Sequence, residues 1–154
     1  MSYLKDSLIN DEQLIYRTRL HWVIFLLPTI FSLVVFMFFI IDDISNNEIS
    51  LLSAVIVIIL WLYSFIYFKT SEFGVTNKRV LFKTGFIGRN SLEVFLTQVE
   101  AIEINQGIFG RLLNYGAVIV KGSGGSANSF FQINNPLEFK KKIQEQITLS
   151  QEKK

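Results

Sequence analysis

The sequence predicts an α+β membrane protein: a two-helix transmembrane hairpin, then a small antiparallel β domain closed by a C-terminal helix. Three observations carry this. Residues 22–41 (WVIFLLPTIFSLVVFMFFII) and 49–68 (ISLLSAVIVIILWLYSFIYF) contain no Asp, Glu, Lys, Arg or His. After Lys69 the texture changes to short alternating stretches with turn residues between them, the pattern of strands and hairpins. Phe139, Ile143 and Ile147 then recur every four residues, which marks one face of a helix.

The N-terminal segment, residues 1–21, comes first. From residue 14, Leu14, Tyr16, Thr18, Leu20 and Trp22 alternate with Ile15, Arg17, Arg19 and His21. A period of two with the basic residues on one side predicts a strand, because 3.6-residue spacing would scatter those charges around a helix axis. Such a strand either lies at the membrane interface facing headgroups or pairs with an edge of the later domain.

The two apolar runs have 20 residues each. At about 1.5 Å per residue each helix spans about 30 Å, the thickness of a hydrocarbon core. The first run is too long for the apolar stretch of a signal peptide and ends in Ile41-Asp42-Asp43, without a small-residue cleavage site. Pro28 is expected about two turns into the first helix, where membrane helices tolerate a kink. Only residues 42–48 (DDISNNE) separate the runs, too few to recross a bilayer, so the helices form an antiparallel hairpin. This loop carries Asp42, Asp43 and Glu48 and no basic residue, whereas Lys5, Arg17, Arg19, Lys69, Lys78, Arg79 and Lys83 flank the runs on the other side. The basic excess places both termini in the cytoplasm and the loop outside.

The chain has no cysteine, which excludes disulfides, thiolate nucleophiles and cysteine metal sites. Its net charge of +2 hides an asymmetry: residues 69–154 carry 12 Lys/Arg and 7 Glu, or +5, residues 1–21 balance, and the loop supplies −3. A mildly basic cytoplasmic part suits anionic lipid headgroups. Its charges form no patch suited to nucleic acid, which is not expected as a partner.

In the β domain, residues 69–149, Phe73 and Val75 face Val80 and Phe82 across a turn at Asn77-Lys78, where Asn tolerates the left-handed conformation. Gly85-Phe86-Ile87-Gly88 gives the next reversal. Strands are expected over Asn90–Phe95, Ala101–Asn105, Gly116–Gly122 and Ser129–Asn134, with one helical turn within Gly107–Leu113. Asn134 or Asn135 caps the last helix, expected over about 136–148 with Pro136 in its first turn, and residues 150–154 form a frayed tail. The helix covers one open end of a bent sheet or partial barrel.

The strings "VTNKRVLFKTGFIG", "VEAIEI", "GIFGRLLNYGAVIV" and "INNPLEFKKKI" resemble the bacterial pleckstrin-homology-like (PH-like) membrane proteins. Thr76, Asn77 and Arg79 match that family's opening hairpin, Gly85 and Gly116 its strand glycines, and Asn135 and Pro136 its helix start. Upstream, "LINDEQLIYRTRLHW" is similar to the family's acidic turn and strand leading into the first membrane helix. The resemblance implies a split β-barrel or two-sheet PH-like fold, capped by a C-terminal helix, at the cytoplasmic face of a bacterial plasma membrane. It also implies a larger membrane protein with several PH-like domains as partner, and it carries no defined activity.

The residues point away from catalysis, metals and cofactors. His21, the only histidine, is expected as an interfacial side chain. No Asp follows Asp43; Glu72 and Glu93 read as exposed strand residues, and Glu100 and Glu103 on a strand face opposite ways. No HExxH, GxSxG or Walker motif is present. Gly122–Ser126 lacks the Lys-Ser/Thr of a phosphate loop and reads as a hairpin loop with a mobile tip. The candidate headgroup-facing residues are Arg17, Arg19, Lys69, Lys78 and Arg79. Thr76 and Arg79 have a second, favoured role, in which a side-chain hydrogen bond closes the turn and a charge is anchored at its base. Two functions follow: a membrane-anchored interaction module acting through protein partners or its own copies, or a sensor of anionic headgroups.

Overall fold

The computed structural model describes residues 7–41, 47–85, 90–123 and 127–152. The segment joining the two helices and the tips of the Gly85–Gly88 and Gly122–Ser126 turns lie wholly or largely outside these residues. The described chain runs β1 (Leu14–Arg19), a 3-10 turn (Trp22–Phe25), α1 (Leu26–Ile41), α2 (Asn47–Thr70), β2 (Glu72–Thr76), β3 (Arg79–Thr84) and β4 (Asn90–Phe95). It continues through β5 (Val99–Asn105), α3 (Ile108–Leu112), β6 (Tyr115–Gly122), β7 (Ala127–Asn134) and α4 (Pro136–Glu152). It is an α+β protein with two antiparallel sheets, ordered β1-β2-β3-β4 and β5-β6-β7.

The two helices are long and apolar enough to cross a membrane over Trp22–Ile40 and Leu51–Thr70. Phe25 packs on Trp61 and Phe68, with ring centroids 5.9 and 5.3 Å apart, so the start of one lies against the end of the other. Their remaining surface is exposed, Leu27 to 70% and Leu51 to 66%. A helix that is apolar all round and not buried in a core is a membrane candidate. Pro28 does not kink a continuous helix. The chain enters as a 3-10 turn and α1 begins at Leu26, so Pro28 sits in the first turn, where its missing N–H costs nothing.

The first strand pairs with the sheet edge: Arg19 lies opposite Glu72, Arg17 opposite Gly74 and Leu14 opposite Thr76. Tyr16, Thr18 and Leu20 are at least half buried, whereas Ile15 and Arg19 are exposed, the division that the period of two predicts. Leu20 bridges Ile133, and the Thr18 hydroxyl donates to the Asn134 carbonyl at 2.8 Å. One strand thereby touches both sheets.

Phe73, Val75, Val80, Phe82, Val118, Val120 and Ile133 form the core between the sheets. Phe82 stacks on Phe130 at 3.9 Å between centroids, with Phe73 edge-on to both. Phe139 and Ile143 of α4 are fully buried against this cluster, so the helix closes the open end as its four-residue spacing predicts. α4 runs on to Glu152, because no Gly or Pro stops it near residue 148; residues 150–152 are therefore helix rather than frayed tail. Three strands also start earlier than expected, at Val99, Tyr115 and Ala127.

Candidate functional site

Two features stand out around the sheets: a polar clamp on the β2–β3 hairpin, and a groove along the seam between β4 and β7. The clamp begins with the turn itself. Val75 pairs with Val80, so Thr76-Asn77-Lys78-Arg79 makes the reversal. The Thr76 hydroxyl accepts from the backbone N–H of Arg79 (2.9 Å) and of Lys78 (3.2 Å). A hydroxyl that accepts twice still has one proton to give, and it is shared between Glu12 Oε1 at 2.7 Å and the Arg79 carbonyl at 2.8 Å.

Glu12 comes from the turn before β1 and has no exposed side-chain surface. Its carboxylate also accepts from Ile9 N–H, Arg79 Nε and Arg79 Nη2, each at 2.9 Å. The Arg79 guanidinium completes its set with the Ser7 carbonyl at 2.7 Å and the Glu93 carboxylate. Burial pushes the Glu12 carboxyl up, but the hydrogen bonds from Arg79, Ile9 and Thr76 and the Arg79 charge together hold it below its ordinary value. Arg79 responds in kind: its hydrogen bond to Glu12 holds the guanidinium in the charged form.

The neighbours of Thr76 extend the same clamp. Asn77 accepts from Gln13 N–H at 3.0 Å and donates to the Asp11 carbonyl at 3.1 Å. Lys78 Nζ reaches the Asn10 carbonyl at 2.9 Å. Asn77 does not take the left-handed conformation expected of it. Asp11 does, with φ 64°, and the Thr76 hydroxyl closes the hairpin instead. All four turn residues thus bind the segment 7–13 to the sheet.

The five candidate headgroup residues do not converge. Arg79 is 5% exposed and faces two carboxylates, so it cannot serve a headgroup. Arg17 pairs with Glu72, which is buried rather than exposed. Lys78 is exposed, but five residues of β2 separate the hairpin from the end of α2, a distance of about 16 Å at about 3.3 Å per residue. Arg19 and Lys69 stay exposed near the helix ends, Lys69 with its ammonium 5.7 Å above the Phe65 ring.

The glycine and proline positions have local reasons. Gly85 has φ 84°, a backbone that side chains with a Cβ rarely adopt. A Cβ on Gly116 would lie 2.6 Å from Gln106 Cγ, 2.9 Å from the Asn105 carbonyl oxygen and 3.3 Å from Pro136 Cγ. Pro136 therefore starts α4 directly over Gly116. Asn135 supports this start: its Oδ1 accepts from Asn114 Nδ2 at 2.6 Å, and its carbonyl accepts from Phe139 N–H.

His21 is not an interfacial side chain. It is 7% exposed, its ring stacks on Tyr115 at 5.2 Å, and its Nδ1 accepts from Val23 N–H at 3.3 Å, capping the 3-10 turn. Burial lowers its basicity, opposed in part by a hydrogen bond with the Leu113 backbone. Glu100 and Glu103 are both exposed, Glu100 at a bulge and Glu103 beside Lys121. Among the described residues no three His, Asp or Glu side chains gather as a metal site.

The groove encloses about 440 Å³ beside the end of α2. Tyr67, Phe73, Leu92, Phe130 and Phe131 line it together with the polar Thr84, Ser91, Asn128 and Ser129. Residues of both β4 and β7, each the last strand of its sheet, line this seam, and the two strands do not pair with each other among the described residues. Glu12 and this groove are what sequence reasoning missed. A buried arginine needs a carboxylate, but nothing local says which one; the seam exists only once both sheets are assembled.

A family model described as Bacterial PH domain matches residues 23–147. The match takes in both apolar helices, strands β2 to β7 and most of α4; β1 and Glu12 lie before it. No curated protein and no solved structure matches the chain.

Proposed function

Because the chain belongs to the bacterial PH domain family, we propose that it is a membrane-anchored PH-like module that binds a protein partner through the seam between β4 and β7. The seam itself carries this reading. It offers the outer edges of β4 and of the Ala127–Phe131 stretch of β7, which no strand pairs among the described residues, flanking a groove of about 440 Å³. An exposed edge supplies a row of backbone donors and acceptors for an added extended segment, and pockets beside it select side chains. The two apolar helices anchor the domain in the plasma membrane of a bacterium, and the basic flanks place both termini in the cytoplasm. The partner is a larger membrane protein of the same family or a second copy of this chain.

Binding, rather than catalysis, is the role: the charged side chains of the clamp neutralise one another, and the polar side chains lining the groove are neutral hydroxyls and an amide. Headgroup sensing is the weaker reading, because Arg17 and Arg79 are engaged by carboxylates and Lys78 sits at the end of the sheet away from the helices.

The test is a photo-crosslinking residue placed at Ser129, in the groove, or at Lys141, on the exposed face of α4, in native membranes. A defined protein captured at Ser129, absent at Lys141 and lost when Ser91→Trp fills the groove, supports the seam. Identical neighbours at both positions refute it.

A further inference from the structure

We infer that α3 is a membrane-surface contact: Ile108, Phe109 and Leu112 insert into the interfacial layer of the bilayer that the two helices cross. This rests on the anchoring proposed above. The three side chains are 86%, 72% and 79% exposed, more than any large apolar side chain described in the two apolar helices, where Leu27 reaches 70%. They stand together on one five-residue helix, which also carries Arg111.

The knuckle is held firmly. A Cβ on Gly110 would come within 2.7 Å of the Tyr115 carbonyl oxygen, so the helix is pressed onto the start of β6. Gln106 Nε2 bonds the carbonyls of Gly110 and Tyr115 at 3.2 and 3.0 Å. Fixed exposure of large apolar groups in water is unfavourable and marks an interaction site.

Its position identifies the occupant. Tyr115, which anchors α3, stacks on His21, and Trp22 next to it opens the first apolar span and is itself 51% exposed. The knuckle therefore projects beside the point where the chain enters the bilayer. Arg111, Trp22 and Lys69 are the residue types that settle at headgroup level, and small amphipathic elements lie in that layer with their apolar side down. Two helices alone leave the domain free to tilt about their ends; a third contact fixes its attitude.

The chain has no cysteine, so single labels report one place each. Phe109→Cys, Leu33→Cys and Ser123→Cys variants carrying an environment-sensitive fluorophore are reconstituted in phosphatidylethanolamine–phosphatidylglycerol liposomes with nitroxide lipids, quenching at shallow or at deep positions. Phe109 should lose more emission to the shallow quencher than to the deep one, Leu33 the reverse, and Ser123, at the far end of β6, should lose emission to neither. Unquenched Phe109 with quenched Leu33 overturns the contact and leaves the anchor standing. Unquenched Leu33 overturns the anchor and the contact with it. A Phe109 label that is water-exposed in liposomes but shielded in native membranes refutes lipid as the occupant and assigns the knuckle to a protein.

Discussion

Replacing Glu12 by Ala tests the clamp most directly. The substitution removes four accepted hydrogen bonds, from Ile9, Thr76 and twice from Arg79. It leaves a guanidinium whose side chain is 6% exposed with Glu93, itself 36% exposed, as the remaining carboxylate. Removing one partner of a buried ion pair costs about 3–5 kcal/mol, because the other charge stays behind uncompensated. Glu93 supplies part of the compensation, which places the expected cost near the lower end, about 3 kcal/mol. Domains hold only about 5–15 kcal/mol in total. With a urea dependence of about 1–3 kcal/mol per molar, the unfolding midpoint falls by about 1–3 M. Pulse proteolysis across a urea series in mild detergent measures it on the intact chain. A further Arg79→Met change in the same protein removes the stranded charge, so the double variant should cost less than the sum of the singles by more than about 1 kcal/mol. A midpoint unchanged within error, or strictly additive effects, would refute the clamp as a stabilising unit.

Acid should find the same weak point. The folded Glu12 carboxyl lies below its ordinary value of 4.5, so its contribution is complete above that value and is lost as pH falls through the lower folded value; urea midpoints measured down the acid limb should decline less steeply in Glu12→Gln than in the wild type. Gly116→Ala forces a methyl between Gln106, Asn105 and Pro136, and calorimetry should show a loss of about 1–3 kcal/mol; an unchanged transition would mean that α4 can move aside. Ser45→Cys should react with an impermeant thiol reagent in intact spheroplasts while Ser123→Cys stays protected, and the reverse pattern would invert the proposed orientation.

What the sequence made legible follows a physical division. The helices, the strands and the closing helix announce themselves because periodicity and the absence of charge are local. Thr76, Asn77 and Arg79 stood out as a motif, but their partner did not: the contact with Glu12 spans 67 residues of sequence to Arg79, and only assembly shows which carboxylate meets the arginine. Lys78 misled for a related reason. It is eight residues past the end of α2, close in sequence, yet an extended strand carries it away from the helix end. Glu72 misled because alternation tells which side of a sheet a residue takes, not whether a neighbour such as Arg17 covers it. The segment Gly107–Leu113 was recognisable as a helical turn, but only the burial of Gly110 shows that its apolar side chains point outward.

The connectivity also bears on why so many basic residues need no lipid to account for them. The strand entering α1 and the strand leaving α2 are neighbours, with Arg19 opposite Glu72. Leu20 and His21 make one link to the apolar helices and Ser71 the other. Both links are short and bonded: His21 N–H donates to Gln132 at 2.7 Å and Ser71 N–H to Tyr67 at 3.2 Å. Each basic residue near a membrane adds only about 1 kcal/mol of attraction to an anionic surface, whereas under the anchoring proposed above two covalent links already hold the domain there. Charge is thus free for internal use, and Arg17 and Arg79 spend theirs on Glu72, Glu12 and Glu93. If the helices shift against each other, the displacement enters as shear between β1 and β2, resisted by the Arg17–Glu72 pair at the near end and by the clamp at the far end of that strand pair. Weakening Glu12 should therefore loosen the register of β1 before it disturbs the aromatic core, visible as faster amide exchange in Leu14–Arg19 than in β3.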